Sequence, residues 1–137
     1  MAITILDAGV IIGFLDSNDV HHQAAHRALR KQLEQGHSLV MPTSVYAEIL
    51  VGPMRTGEQF AQTVRDLADR LPFAICAIDF PIAERAAALR ARHSALKLPD
   101  AFVIATAQHL DAEVILTTDR KWPTRAQLKL TSAIIKV

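Results

Sequence analysis

The chain has 137 residues, 50% of them hydrophobic, with 5 glycines and 6 prolines; that excludes a disordered chain and supports one compact core. A formal net charge of +1 gives no global polyanion-binding signature, and 5% aromatic residues argue against a base-stacking platform. The single cysteine, Cys76, excludes an internal disulfide and suits a reducing cytoplasm.

Strand and helix signals alternate along the chain. Ile3 to Leu6 reads as a buried strand, left through Asp7-Ala8-Gly9, and a short apolar helix follows from about Val10 to Leu15. The apolar opening Ile3 to Leu15 is broken by Asp7, is too short to cross a bilayer, and lacks the basic start of a signal peptide. Asp16 to Asp19 is a turn cluster. Val20 to Gln35 reads as an amphipathic helix with Ala24, Ala28 and Leu29 inward and Gly36 as its stop. Ser38 to Met41 is a second strand. Pro42-Thr43-Ser44 opens a helix reaching Leu50 to Pro53, with Thr43 or Ser44 as its cap. Thr56 to Arg70 carries the stripe Phe60, Val64, Leu67, Leu71, and Pro72 ends it.

Phe73 to Ile78 is the third strand, and it buries Cys76 as a small hydrophobe. Asp79 caps the helix that occupies Ile82 to Ser94. Pro99 to Leu110 is an Ala-rich helix, and Val114 to Thr117 a fourth strand. A last strand lies within Leu128 to Val137, where Leu128 to Leu130 and Ala133 to Val137 both read as extended. The expected architecture is α/β, one domain over residues 1–137, with a central, mostly parallel sheet of about five strands flanked by helices.

Four acids fall on element boundaries: Asp7, Glu48, Asp100 and Asp119. Each has an ordinary explanation taken alone. Asp7 and Asp100 suit helix starts, Asp119 a turn, and Glu48 a surface helix position. Together they fall on one predicted edge, where strands of a parallel sheet end and ligands bind. Four carboxylates gathered there call for a cation, and the hard oxygen donors select Mg²⁺ or Mn²⁺. Basic residues lie nearby: Arg85, Arg90, Arg92, His93 and Lys97 precede Asp100, and Arg120, Lys121, Arg125 and Lys129 follow Asp119. Such runs are commonly solvated helix faces, but beside an acidic site they suit a phosphate backbone. His22 and His26 stand four apart on a helix with no third ligand in view, so they read as surface histidines. No Gly-rich phosphate loop and no G-x-S-x-G elbow occurs.

Four segments carry a resemblance: Ile5-Leu6-Asp7-Ala8-Gly9, Thr43 to Glu48, Leu98-Pro99-Asp100-Ala101-Phe102-Val103-Ile104-Ala105-Thr106-Ala107, and Leu116-Thr117-Thr118-Asp119-Arg120. In this order the chain resembles the PIN-domain nucleases over its whole length, in particular the VapC toxins of bacterial toxin–antitoxin pairs. The resemblance implies a metal-dependent endoribonuclease that hydrolyses RNA to a 5′-phosphate and a 3′-hydroxyl. It implies Asp7, Asp100 and Asp119 as metal ligands, Glu48 as the acid completing the cluster, and Thr117 as a hydroxyl supporting the attacking water or Asp119. It also implies a homodimer in the cytoplasm and a VapB-like antitoxin that inserts a segment into the active-site groove. Ala8 departs from the Ser or Thr that relatives often carry after the first Asp. One rival is a non-catalytic PIN-like module that binds RNA or protein. Another is a receiver-like domain, which would want two adjacent acids after its first strand and a late Lys.

Overall fold

The computed structural model describes residues 1–137. Its elements, in chain order, are β1 (Ile3–Leu6), α1 (Ala8–Leu15), α2 (His22–Glu34), β2 (Ser38–Pro42), α3 (Thr43–Thr56), α4 (Glu58–Arg70) and β3 (Phe73–Cys76). They continue with α5 (Phe80–Arg92), α6 (Leu98–His109), β4 (Val114–Thr117), α7 (Arg125–Leu128) and β5 (Ala133–Lys136). The five strands lie in the order β3-β2-β1-β4-β5, and every pairing is parallel. The sheet is therefore wholly rather than mostly parallel.

The chain builds outward from β1 in one direction through β2 and β3, then in the other through β4 and β5. The order reverses between β1 and β4, which is where a parallel sheet opens a crevice at its C-terminal edge. These two strands are the apolar centre: Ile5, Leu6, Ile115 and Leu116 are fully buried, and a contiguous core of 30 residues surrounds them. Strands covered on both faces read as near-continuous apolar runs; β4 opens with Val-Ile-Leu, and β1 is Ile-Thr-Ile-Leu, its buried Thr4 donating to Gln32.

Several boundaries differ from the sequence reading. α1 starts at Ala8, not Val10, because Asp7 is itself the N-cap and accepts from the Ala8 N–H. α2 starts at His22, leaving Val20 exposed; its inward face is Ala25, Leu29 and Gln32, with Ala28 packed at the rim of the core, while Ala24 is not part of it. Neither Thr43 nor Ser44 caps α3. Pro42 holds that position, and the Thr43 hydroxyl instead accepts from the Ile78 N–H at 3.2 Å. α3 also runs through Pro53 to Thr56. On α4, Val64 is buried as expected, but Ala61 rather than the exposed Phe60 takes the inward position a turn earlier. β3 ends at Cys76, and as the sheet's edge it leaves Ala74 and Ile75 exposed and Cys76 only half-buried. Burial still pushes that thiol above its ordinary range. Asp79 caps α5 as expected, accepting from the Ile82 N–H at 3.1 Å.

The largest difference is at the C-terminus. Leu128 lies in the short helix α7, and only Ala133–Lys136 forms the last strand. Thr124 and Gln127 make a reciprocal capping box there. That Thr-x-x-Gln spacing is a recognisable helix start, and it outweighs the extended pattern of Leu128 to Leu130.

Candidate active site

The end of β1 and the end of β4 are neighbours, and both lead straight into acids. The Asp7 N–H donates to the Leu116 carbonyl at 3.0 Å, which continues the β1–β4 ladder one step beyond the strand. Asp7 is buried and uses both carboxylate oxygens. Oδ1 accepts from the Ala8 N–H at 2.8 Å, and Oδ2 accepts from the Thr117 hydroxyl at 2.6 Å. The same Thr117 oxygen accepts the Asp119 N–H at 3.0 Å. One fully buried hydroxyl thus joins two of the acids. Thr118, one residue past β4, packs against Gly9 and lines the same hollow as Asp100 and Asp119.

Asp100 occupies the first turn of α6, whose entry Pro99 helps fix. Glu48 comes from the second turn of α3 and is half-buried. Charge links all four. Burial raises the Asp7 carboxyl against its two hydrogen bonds, and Asp119 raises it further. Burial raises Glu48, with Asp7 and Asp100 adding to the effect. Asp100 is pushed up to about 6 by burial and then by Asp7 and Asp119. The structure therefore brings Asp7, Glu48, Asp100, Thr117 and Asp119 to one place.

The donor set suits a hard divalent cation: carboxylate oxygens only, with mutual repulsion that a cation would relieve. No three of the acids close on one point tightly enough to form an all-protein cage. Mg²⁺ keeps several waters and is commonly held by one or two carboxylates, so it needs no such cage. The spacing does not fit a closed structural zinc site.

Three residues at this edge carry more than their sequence suggests: Trp122 and Lys136 are not singled out there, and Ser44 reads only as a helix cap. Trp122 is buried, and its indole N–H makes no well-formed hydrogen bond. Its dipole nonetheless lies close enough to Asp100 to favour the charged carboxylate, as Lys97 also does. Lys136, from β5, donates to the Asp119 carbonyl at 2.7 Å and lies 5.8 Å from the Trp122 ring centre. Ser44 lies one helical turn before Glu48, and its buried hydroxyl has no partner. Trp122 is the chain's one tryptophan, which was the available signal. Ser44 and Lys136 gave none without the fold.

The basic residues divide into two groups. Arg90 donates to the Ser94 carbonyl and Arg125 to the carbonyls of Leu130 and Thr131, so both hold loops. Arg120 reaches the Val137 carbonyl at 3.4 Å. Lys97, Arg120 and Lys121 border an open hollow of about 610 Å³ over Asp100 and Asp119, together with His21. A second hollow, of about 480 Å³, lies on the other side of Glu48 and is mostly apolar, walled by Ile12, Leu15, Ile49, Phe60 and Leu67. His22 and His26 are half-buried rather than on the open surface. His22 Nδ1 lies 2.8 Å from the Gly13 carbonyl, and the His26 ring packs on Phe14.

A family model described as the PIN domain matches residues 4–128. No curated protein matches the chain. Among solved structures, a toxin–antitoxin complex from Klebsiella pneumoniae contains a chain 30% identical, with a TM-score of 0.69, covering 86% of this chain and 88% of that one. A VapBC complex from Rickettsia felis bound to promoter DNA has a chain 12% identical, with a TM-score of 0.75 and 98% of each chain covered. A VapC toxin of Mycobacterium tuberculosis that cleaves the sarcin–ricin loop is 15% identical, with a TM-score of 0.71, covering 86% of this chain and 91% of that one.

Proposed function

Because the chain belongs to the PIN domain family, we propose that it is a Mg²⁺- or Mn²⁺-dependent endoribonuclease, the toxin of a toxin–antitoxin pair. The observation that carries this reading is that Asp7, Glu48, Asp100 and Asp119 come from four separate elements to lie within charge range of one another, with Asp100 and Asp119 facing a hollow edged by unpaired lysines. Repulsion at such a site costs stability, and acids so perturbed in a cleft mark a functional site.

Asp7, Asp100 and Asp119 would hold the cation, directly or through its waters. When bound, it would polarise the scissile phosphate and lower the pKa of water, supplying the nucleophile at neutral pH. The Thr117 hydroxyl favours the charged form of Asp7 against burial and keeps Asp119 in register. Glu48, with its raised pKa, stands at the edge of the cluster to orient the attacking water or take its proton. Lys97 and Lys121 hold the substrate's phosphates at the mouth. Water attacks phosphorus in line, the bond to the 3′-oxygen breaks, and that oxygen leaves as the 3′-hydroxyl while the phosphate stays on the 5′ end.

The partners follow the same reading: a VapB-like antitoxin, whose apolar segment fits the hollow beside Glu48, and a second copy of the chain. On this reading it acts in the cytoplasm. No helix is long and apolar enough to cross a membrane. A module that binds without cutting would have no use for the full acidic set. The test is cleavage of total RNA with added Mg²⁺ or Mn²⁺ by the wild type and by Asp7→Asn. Metal-dependent cleavage by the wild type alone is expected, and equal cleavage by both would remove the assignment.

A further inference from the structure

The hollow over Asp100 and Asp119 does not end at Lys121. Past Ala95, Lys121 and Trp122 it opens into a second hollow of about 600 Å³, walled by Arg92, His93 and Gln127. Those three residues also border a third, of about 420 Å³, which reaches Arg85, Gln108 and Lys129. The three share walls in sequence, so they form one groove leading from the acidic cluster along α5 to α7.

The chemistry of this groove changes sharply beyond the cluster. Its second and third parts carry no carboxylate. Arg85 and Arg92 are two helical turns apart on one face of α5, a rise of about 10.5 Å, with the small Ala88 between them. Arg85, Arg92, Lys121 and Lys129 make no ion pair within the chain, whose one salt bridge is Arg65–Glu58 on α4. Gln108 and Gln127 add neutral donors, while Leu89 and Leu128 are buried beneath. A polar trough with unpaired cations at intervals suits a phosphodiester backbone. An apolar peptide face finds nothing exposed there to cover.

We propose that this groove seats the RNA strand flanking the scissile phosphate on one side, with Arg85, Arg92 and Lys129 as its phosphate contacts. The proposal rests on the RNA-cleaving reading of the site and extends it by about two turns of α5.

The test uses the full chain, a labelled mixed-sequence single-stranded RNA of roughly 20 nucleotides and a tetranucleotide. Affinity is measured by anisotropy across a salt series for the wild type, for Arg85→Ala/Arg92→Ala, and for Lys31→Ala/Arg70→Ala. Lys31 and Arg70 lie at the ends of α2 and α4, which lead into the starts of β2 and β3, so they sit at the opposite edge of the sheet. The groove variant is expected to bind the long RNA about tenfold more weakly, with a salt slope shallower by about 1.4, or 0.7 per lost contact. It should bind the tetranucleotide like the wild type, and the control pair should follow the wild type throughout. Equal losses in both pairs, an unchanged slope, or no RNA binding by the wild type would each overturn the proposal. So would a groove that binds an acidic peptide while RNA affinity ignores Arg85 and Arg92. RNA binding that depends on the groove, without cleavage by the wild type, would reject the nuclease reading and keep the groove. Cleavage of both RNAs that is indifferent to Arg85 and Arg92 would do the reverse.

Discussion

The Thr117 hydroxyl donates to Asp7 Oδ2 at 2.6 Å across 110 positions of sequence and accepts the Asp119 N–H with its own oxygen. Asp7 is buried, so its charge depends on donors such as this one. Thr117→Ala removes a bond that lowers the Asp7 pKa, so that pKa should rise. Activity should then need a higher pH, with the acidic limb of the pH–rate profile displaced upward and kcat reduced. Thr117→Ser keeps the hydroxyl and should stay near the wild type. A thermal melt should show Thr117→Ala losing about 1–3 kcal/mol, the cost of leaving a buried acceptor short of a partner. Identical pH profiles for the Ala and Ser variants would show that the hydroxyl does not tune the acid.

Asp100 gives a stability prediction of opposite sign to the usual carboxylate. Its folded pKa is about 6, above the ordinary value of 3.8. The folded state therefore holds this proton more tightly than the unfolded state. The resulting stability is fully present below pH 3.8 and is lost as pH rises through about 6. In a chelator at pH 7.5, Asp100→Asn should be more stable than the wild type. Asp100 is half exposed, so after solvent screening the gain is on the order of 1 kcal/mol. Near pH 3.5 the difference should vanish, and added Mg²⁺ should favour the wild type. Urea titrations at the two pH values check the sign.

The sequence placed Asp7, Asp100, Thr117 and Asp119 well because each is tied to a regular element: a strand end or the first turn after a proline. Those positions are set by local rules and by the parallel sheet, whose apolar strands were plain. Glu48 was legible as a boundary residue, but its neighbours were not. Ser44 beside it reads as a helix cap, and only packing against the Ile78 backbone shows that Thr43 is otherwise engaged and Ser44 is left buried. The basic residues were harder still. Arg90 and Arg92 look alike in a sequence. A single carbonyl, that of Ser94, separates a loop brace from a free cation. Helix faces were misread where the stripe was mixed, as on α2, because Gln32 is buried to meet Thr4 at 3.0 Å.

Gly9 sets opposing effects against each other. In a helix interior, Gly→Ala usually adds about 1 kcal/mol of stability, and Gly9 lies within α1 at an ordinary backbone angle. A Cβ there would run into the Thr118 Oγ1, one residue before Asp119. Overpacking of this kind costs about 1–3 kcal/mol, so Gly9→Ala should be neutral or destabilising. Thr118 must move, and Asp119 moves with it, so RNA cleavage should fall more than stability does. Pairing it with Thr118→Ala should restore both, and a double variant no better than the single would remove this explanation.

Lys129 lies at φ 53°, ψ 42°, the left-handed conformation that closes α7. A side chain there costs roughly 1–2 kcal/mol, which glycine avoids. The position is exposed, so burial does not explain the choice of residue. The lysine does stand at the far end of the basic groove, where its charge has no partner in the chain. Lys129→Gly should therefore separate two properties. The melting temperature should rise, reflecting a gain of about 1 kcal/mol. Affinity for the long single-stranded RNA should fall several-fold, with a salt slope lower by about 0.7. Lys129→Arg keeps both the strain and the charge, so it should match the wild type in both measurements. A glycine variant that is more stable and binds RNA as tightly as before would show that the strain at this cap is not kept for a phosphate contact.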